Sequence, residues 1–201
     1  MKYQLYKPNS KNEGCAMGFE IGKGRNGEPA LYISAVQQSG WDDQKKRGSF
    51  GANAKDPNKS GNFKMNAAEA GEMISSIRSR TTVDFFHRFD NDTTIIKFVP
   101  WDKKRTTKVK GEEQSFVTPA FGLTISKNSS IYFKVSLEAG ETEVLAILLA
   151  EFIRQDMEFA QRKAQEDYQN KNGNGGDRES TRSKPADKPK EEDPFDDDVP
   201  F

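Results

Sequence analysis

The chain repeats itself, and a repeat limits the architecture before any single element is assigned. Trp41-Asp42-Asp43-Gln44-Lys45-Lys46-Arg47 runs on to Ser49-Phe50, and Trp101-Asp102-Lys103-Lys104-Arg105 runs on to Ser115-Phe116. Phe63-Lys64 and Phe133-Lys134 come next, then Glu69-Ala70-Gly71-Glu72 and Glu138-Ala139-Gly140-Glu141, each leading into an apolar helical pattern. Four matches in one order, at offsets that drift only from 60 to 70 residues, make duplication a better explanation than chance.

Each half reads as strands followed by one helix. In the first half, about 14–80, strands are expected at 17–21 and 30–36, joined by a hairpin turn at Asn26-Gly27, and again near 49–53 and 62–65. Asn66 can cap a helix, with Glu69 three residues on as in a capping box; Ala70, Met73, Ile74 and Ile77 form its stripe, and it ends near Arg80. In the second half, about 82–165, strands are expected at 82–89, 93–101, 115–126 with a bend at Pro119, and 131–135. The closing helix starts near Leu137 or Thr142, and Val144, Leu145, Leu148, Leu149, Phe152 and Met157 give it a wide apolar face. The fold class is therefore α+β over 1–165, a tandem repeat of a four-stranded antiparallel sheet plus helix. Four strands then a helix, done twice, resembles the Whirly family and the related single-stranded-DNA-binding transcriptional coactivators. That resemblance implies two such units packed back to back and an affinity for single strands. The alternative is an OB-fold barrel, to which a second helix of this length is poorly suited.

Charge divides the chain differently. Its 201 residues hold 31 Lys plus Arg against 31 Asp plus Glu and only 33% apolar side chains. From residue 166 onward eleven acids face six bases, so the rest of the chain is basic by the same excess of five. A basic body with an acidic tail points to a polyanion-binding body. Gly, Asn, Ser, Lys and Pro dominate 166–192, which reads as a disordered linker. At 193–201 apolar Phe195, Val199, Pro200 and Phe201 sit among four aspartates, the composition of a short recognition motif. Asp196, Asp197, Asp198, Val199, Pro200 and Phe201 closely resemble the acidic tip of bacterial single-stranded-DNA-binding proteins, which implies docking of replication and repair enzymes. A ring beside a carboxylate suits an apolar pocket rimmed by Lys or Arg, and the aspartates would raise the encounter rate.

Several classes are excluded. No apolar run approaches 18 residues and residues 1–14 lack the core of a signal peptide, so no membrane partner and no secretion are expected, and a cytoplasmic location is. One cysteine, Cys15, and one histidine, His87, allow neither a disulfide framework nor a Cys/His zinc site; both read as ordinary strand residues. No metal or cofactor is expected. There is no Gly-x-x-x-x-Gly-Lys-Ser/Thr loop, and Glu69, Glu72, Glu138 and Glu141 open helices, where acids complement the dipole. The chain is not expected to be an enzyme.

Holding a single strand without reading its sequence takes cations for phosphates and flat side chains for bases. Trp41 with Lys45, Lys46 and Arg47, and Trp101 with Lys103, Lys104 and Arg105, offer both in what should be strand-to-strand loops, with Phe50 and Phe116 beyond them. If Phe63 and Met65 face a helix, Lys64 faces away; if Ile131, Phe133 and Val135 do, Tyr132 and Lys134 face away. The expected function is a non-catalytic single-stranded-DNA-binding protein of bacteriophage type, working in the cytoplasm of a bacterial host. Its expected partners are single-stranded DNA and, through the tip, replication or repair proteins; a homo-oligomer is allowed. The alternatives are an adaptor driven by its tail, whose body dimerises and binds no nucleic acid, and an RNA-binding protein of the same fold.

Overall fold

A computed structural model describes residues 1–109 and 112–173; the tip expected over 193–201 lies outside the described residues. The elements are β1 (Lys2–Lys7), β2 (Cys15–Lys23), β3 (Pro29–Gln37), β4 (Gly40–Asp42), β5 (Arg47–Ser49), β6 (Ser60–Met65), α1 (Ala67–Ser79), β7 (Val83–Phe89), β8 (Asp92–Val109), β9 (Glu112–Lys127), β10 (Ile131–Glu138) and α2 (Ala139–Gly173). The first sheet has the order β1-β2-β3-β6 and the second β10-β9-β8-β7, while β4 and β5 form a separate ribbon. Each sheet is thus an antiparallel meander followed by a helix. The tandem four-strands-plus-helix architecture is the fold, and the described strands close no OB barrel.

Local chemistry explains several boundaries. Gly27, at φ +80°, turns the chain between β2 and β3, where a side chain would be strained. Asn66 accepts the Glu69 N–H at 2.9 Å while the Glu69 carboxylate accepts the Asn66 N–H at 3.0 Å, the expected capping box. Arg80, left-handed at φ 54°, ends α1.

Several expectations need correction. The strand near 49–53 is not part of the first sheet: Arg47–Ser49 pairs with β4, and Gly51–Asn53 makes a single 3-10 turn. The fourth strand of that sheet is β1, ahead of the expected start at residue 14, and it buries little more than Leu5. An edge strand needs only one inward apolar row and gives a weak pattern. Next, the Trp101 block is not a loop. It lies within β8, which pairs with β9 continuously from Thr94↔Lys127 to Val109↔Glu112, passing Pro119 without interruption. Pairing with β7 stops at Phe98 and pairing with β10 at Ala120. Pro100 and Pro119 therefore sit where each strand has lost its outer neighbour, which is where sheets tolerate proline. Finally, α2 runs to Gly173, into the segment read as linker from 166. Extending a formed helix needs no new nucleus, so residues of modest propensity can continue it.

The duplication lies in the order of elements, not in matched side chains. Glu141 accepts the N–H of Glu138 at 2.8 Å, as Glu69 does from Asn66. Glu141 is therefore the counterpart of Glu69, and the two tetrapeptides are out of step. Trp41 follows the third strand of its sheet, whereas Trp101 lies in the second.

Both sheets and both helices contribute to a single buried cluster. Phe98 stacks on Phe121 at 4.5 Å, and Phe63 of the first sheet meets Phe133 of the second edge-on at 5.8 Å. Met73 of α1 and Leu145, Leu148, Leu149 and Phe152 of α2 complete it. The apolar face of α2 is narrower than expected, since Val144 and Met157 stay exposed. The chain divides into two units, Met1–Lys163 and Ala164–Phe201, and the sheets and core belong to the first.

Candidate nucleic-acid interface

Directly paired residues of neighbouring strands share a face, so the ladder register lays out the surface opposite the core. Ile96 and Phe98 of β8 are buried, which turns Ile95, Lys97 and Trp101 outward. Across the second sheet, Phe86, Ile95, Ser126 and Tyr132 form one outward row, and Asp84, Lys97, Thr124 and Lys134 the next. Further along, Trp101 and Glu138 flank Ala120, and Arg105 lies opposite Phe116.

Aromatic carbon is left in water along this face: Trp101 is 40% exposed, Phe116 45%, Tyr132 47% and Phe86 64%. The Lys134 ammonium sits 5.4 Å over the Tyr132 ring. Between these side chains β9 presents only Ala120, Gly122, Thr124 and Ser126. A Cβ at Gly122 would touch nothing nearer than the Val99 carbonyl at 3.9 Å. The result is a lane of small residues bordered by rings and lysines. Flat rings and cations side by side, on β8 (Trp101, Lys97) and on β10 (Tyr132, Lys134), are what a base and its phosphate require.

The lane opens into a cleft. Tyr132 and Lys134 form one wall of a space of about 1140 Å³, with Tyr6, Lys7, Asn53 and Lys59 of the first half opposite. Tyr6 also borders a pocket of about 180 Å³ on the outer face of the first sheet, floored by Ala16, Gly18 and Ser34 and closed by Phe50. The Tyr6 and Phe50 rings lie 6.0 Å apart at 62°. Aromatic surface therefore continues from one sheet to the other by way of Tyr6.

Gln38 positions the loops of this cleft. Its buried side chain accepts the N–H groups of Asn9 (2.9 Å) and Gly14 (3.2 Å) and donates to the carbonyls of Asn9 (3.0 Å) and Gly40 (2.9 Å). Close approach is essential to this clamp. A Cβ on Gly14 would lie 2.3 Å from the Gln38 Oε1, and one on Gly48 2.3 Å from Pro8 Cβ.

The expected residues fall into groups. Trp101, Lys103, Arg105, Phe116, Tyr132 and Lys134 share the outer face of the second sheet. Lys104 pairs with Val117 on the other side of the ribbon, because alternation separates it from Lys103 and Arg105. Lys64 faces outward on the first sheet beside Tyr32, with its ammonium 3.5 Å from Glu28. Phe50 closes the Tyr6 pocket. Trp41, Lys45, Lys46 and Arg47 belong to the β4–β5 ribbon, where Trp41 Nε1 donates to Asp43 at 3.1 Å and Lys46 lies 3.4 Å from the same carboxylate. Lys45 is 4.0 Å from Asp42. The ribbon's two lysines are thus paired within it. Cys15 is buried in β2; burial pushes its thiol up to about 11, so it stays protonated and inert. His87 Nε2 lies 2.5 Å from Glu69.

Sequence reasoning missed Tyr6, Phe86, Lys97 and Gln38. Two were within reach. Phe85-Phe86 are adjacent on a strand, so only one can face the core, and Lys97 lies between two inward apolar residues as Lys134 does. Tyr6 was hidden because β1 was, and Gln38 carries no local signal.

No protein-family model matches the chain, and no curated protein matches it. Solved structures similar to it include the following three. WHY1 from Arabidopsis thaliana is 12% identical, with a TM-score of 0.49 over 90% of this chain and 97% of that one. WHY3 from Arabidopsis thaliana is 13% identical, with a TM-score of 0.46 over 80% of this chain and 92% of that one. The plant transcriptional regulator PBF-2 is 12% identical, with a TM-score of 0.46 over 81% of this chain and 85% of that one.

Proposed function

We propose that the protein is a non-catalytic single-stranded-DNA-binding protein that coats and protects strands exposed during replication, recombination or repair. The observation that carries this reading is the outer face of the second sheet, where Phe86, Trp101, Phe116 and Tyr132 stand exposed among Lys97, Lys103, Arg105 and Lys134. A duplex hides its base faces, whereas an unpaired strand can lay them on such rings. The acidic segment 193–201 would recruit replication or repair enzymes in a bacterial cytoplasm, as its resemblance to the tip of bacterial single-strand binders implies.

The test is a titration of the full chain with oligothymidine, a duplex and an RNA oligomer across a range of salt. Oligothymidine should bind more tightly than duplex, with log affinity falling by about 0.7 per neutralised phosphate for each unit of log salt. Duplex binding as tight as single strands at moderate salt would overturn the reading, and tighter RNA binding would replace DNA by RNA. For the tip, deleting 193–201 should abolish recovery of replication or repair proteins from a bacterial lysate while single-strand binding persists. Equal recovery would overturn the recruitment role.

A further inference from the structure

We propose that Lys103, Arg105 and Phe116 form a nucleotide subsite of this face, and that Glu138 occupies its phosphate position in the free protein. The inference rests on the single-strand-binding reading and adds to it an affinity-setting residue. Lys103 Nζ pairs with one oxygen of the Glu138 carboxylate and an Arg105 guanidinium nitrogen with the other. Two cations gripping two oxygens of one anion is also how the non-bridging oxygens of a phosphodiester are held. Phe116, the direct cross-strand neighbour of Arg105, lines the same open recess together with Thr106 and Thr107, so a ring for a base stands beside the cations for its phosphate.

Glu138 is aimed at this recess by its backbone. It pairs with Ala120 in the sheet, its N–H is held by Glu141 at 2.8 Å and its carbonyl by the Thr142 hydroxyl at 3.0 Å. Glu141 cannot take its place at the cations, being itself 2.5 Å from Lys7. Only the Glu138 side chain has to rotate for the subsite to open. All three partners are about one-third to two-fifths exposed, and ion pairs so exposed are weak. A strand that makes several contacts at once can displace the carboxylate. Until it does, Glu138 cancels cations that the face would otherwise offer.

Glu138→Gln in the full chain, titrated with labelled oligothymidine across a range of salt, tests this. Glu151→Gln is the control, because it removes one carboxylate from the exposed pair with Arg154 on α2, away from the recess. Glu138→Gln is expected to bind on the order of tenfold more tightly at low salt, with the slope steeper by about 0.7, while Glu151→Gln stays within about twofold of the parent protein. Lys103→Gln with Arg105→Gln should weaken binding and cancel the gain when combined with Glu138→Gln. Equal affinities for Glu138→Gln and Glu151→Gln, with the parent protein binding normally, would overturn the subsite alone. A parent protein that binds no single strand would remove the single-strand-binding reading and the subsite with it. A thermal melt of each variant shows that a loss is not unfolding, and a gain cannot come from unfolding.

Discussion

The two tryptophan blocks are nearly the same in sequence and quite different in structural setting. Trp41 stands in a ribbon of two three-residue strands, and its neighbours Asp42 and Asp43 curl back on Lys45 and Lys46. Trp101 stands in a strand of 18 residues, where alternation sends Trp101, Lys103 and Arg105 to one face and Asp102 and Lys104 to the other. Asp102 is then taken up by Arg80 at 2.8 Å on the far side. The same charge beside an indole is thus presented in two different ways. A long ladder sends a base and the acid next to it in sequence to opposite faces, whereas a tight turn leaves such neighbours within reach of each other.

The largest expected effect comes from reversing charge on the ladder. Lys97→Glu with Lys134→Glu should weaken oligothymidine binding on the order of 100-fold at low salt. The same double reversal at Lys45 and Lys46 should change it by less than about threefold, as expected for a solvated pair. Fluorescence anisotropy with a labelled oligomer would show both, and equal losses would erase the distinction between the blocks. Next in size, Trp101→Ala should cost about 1–3 kcal/mol with an unchanged salt slope, against less than about 0.5 kcal/mol for Trp41→Ala. The smallest effect sharpens the comparison within one block: Lys104→Ala should leave affinity within about 0.5 kcal/mol. A loss equal to that of Lys134→Ala would mean that the far side of the ribbon also carries DNA.

Elements with strong local chemistry were legible in the sequence. The Asn66–Glu69 box, the Asn26-Gly27 turn and the buried row of α2 each follow from residues a few positions apart. Tyr132 and Lys134 came out on the predicted face because alternation on a short buried strand leaves one choice. What could not be read depended on partners distant in sequence. Trp101 looked like a loop residue because Lys103, Lys104 and Arg105 have no apolar alternation, and only pairing with β9 keeps them extended. Glu138 looked like a helix-opening acid, and its pairing with Lys103 and Arg105 spans more than thirty positions. The repeat led to the right architecture even though Glu69 and Glu138 are not equivalent, because the order of elements outlasts residue register.

The chain has two tryptophans, one in each block, so the comparison can be read directly from their fluorescence. Trp41→Phe leaves Trp101 as the only indole, and Trp101→Phe leaves Trp41. Titrating each variant with oligothymidine should quench Trp101 strongly, through stacking of a base on its ring, and leave Trp41 unchanged. Quenching of Trp41 with Trp101 silent would contradict the placement of the interface on the outer face of the second sheet.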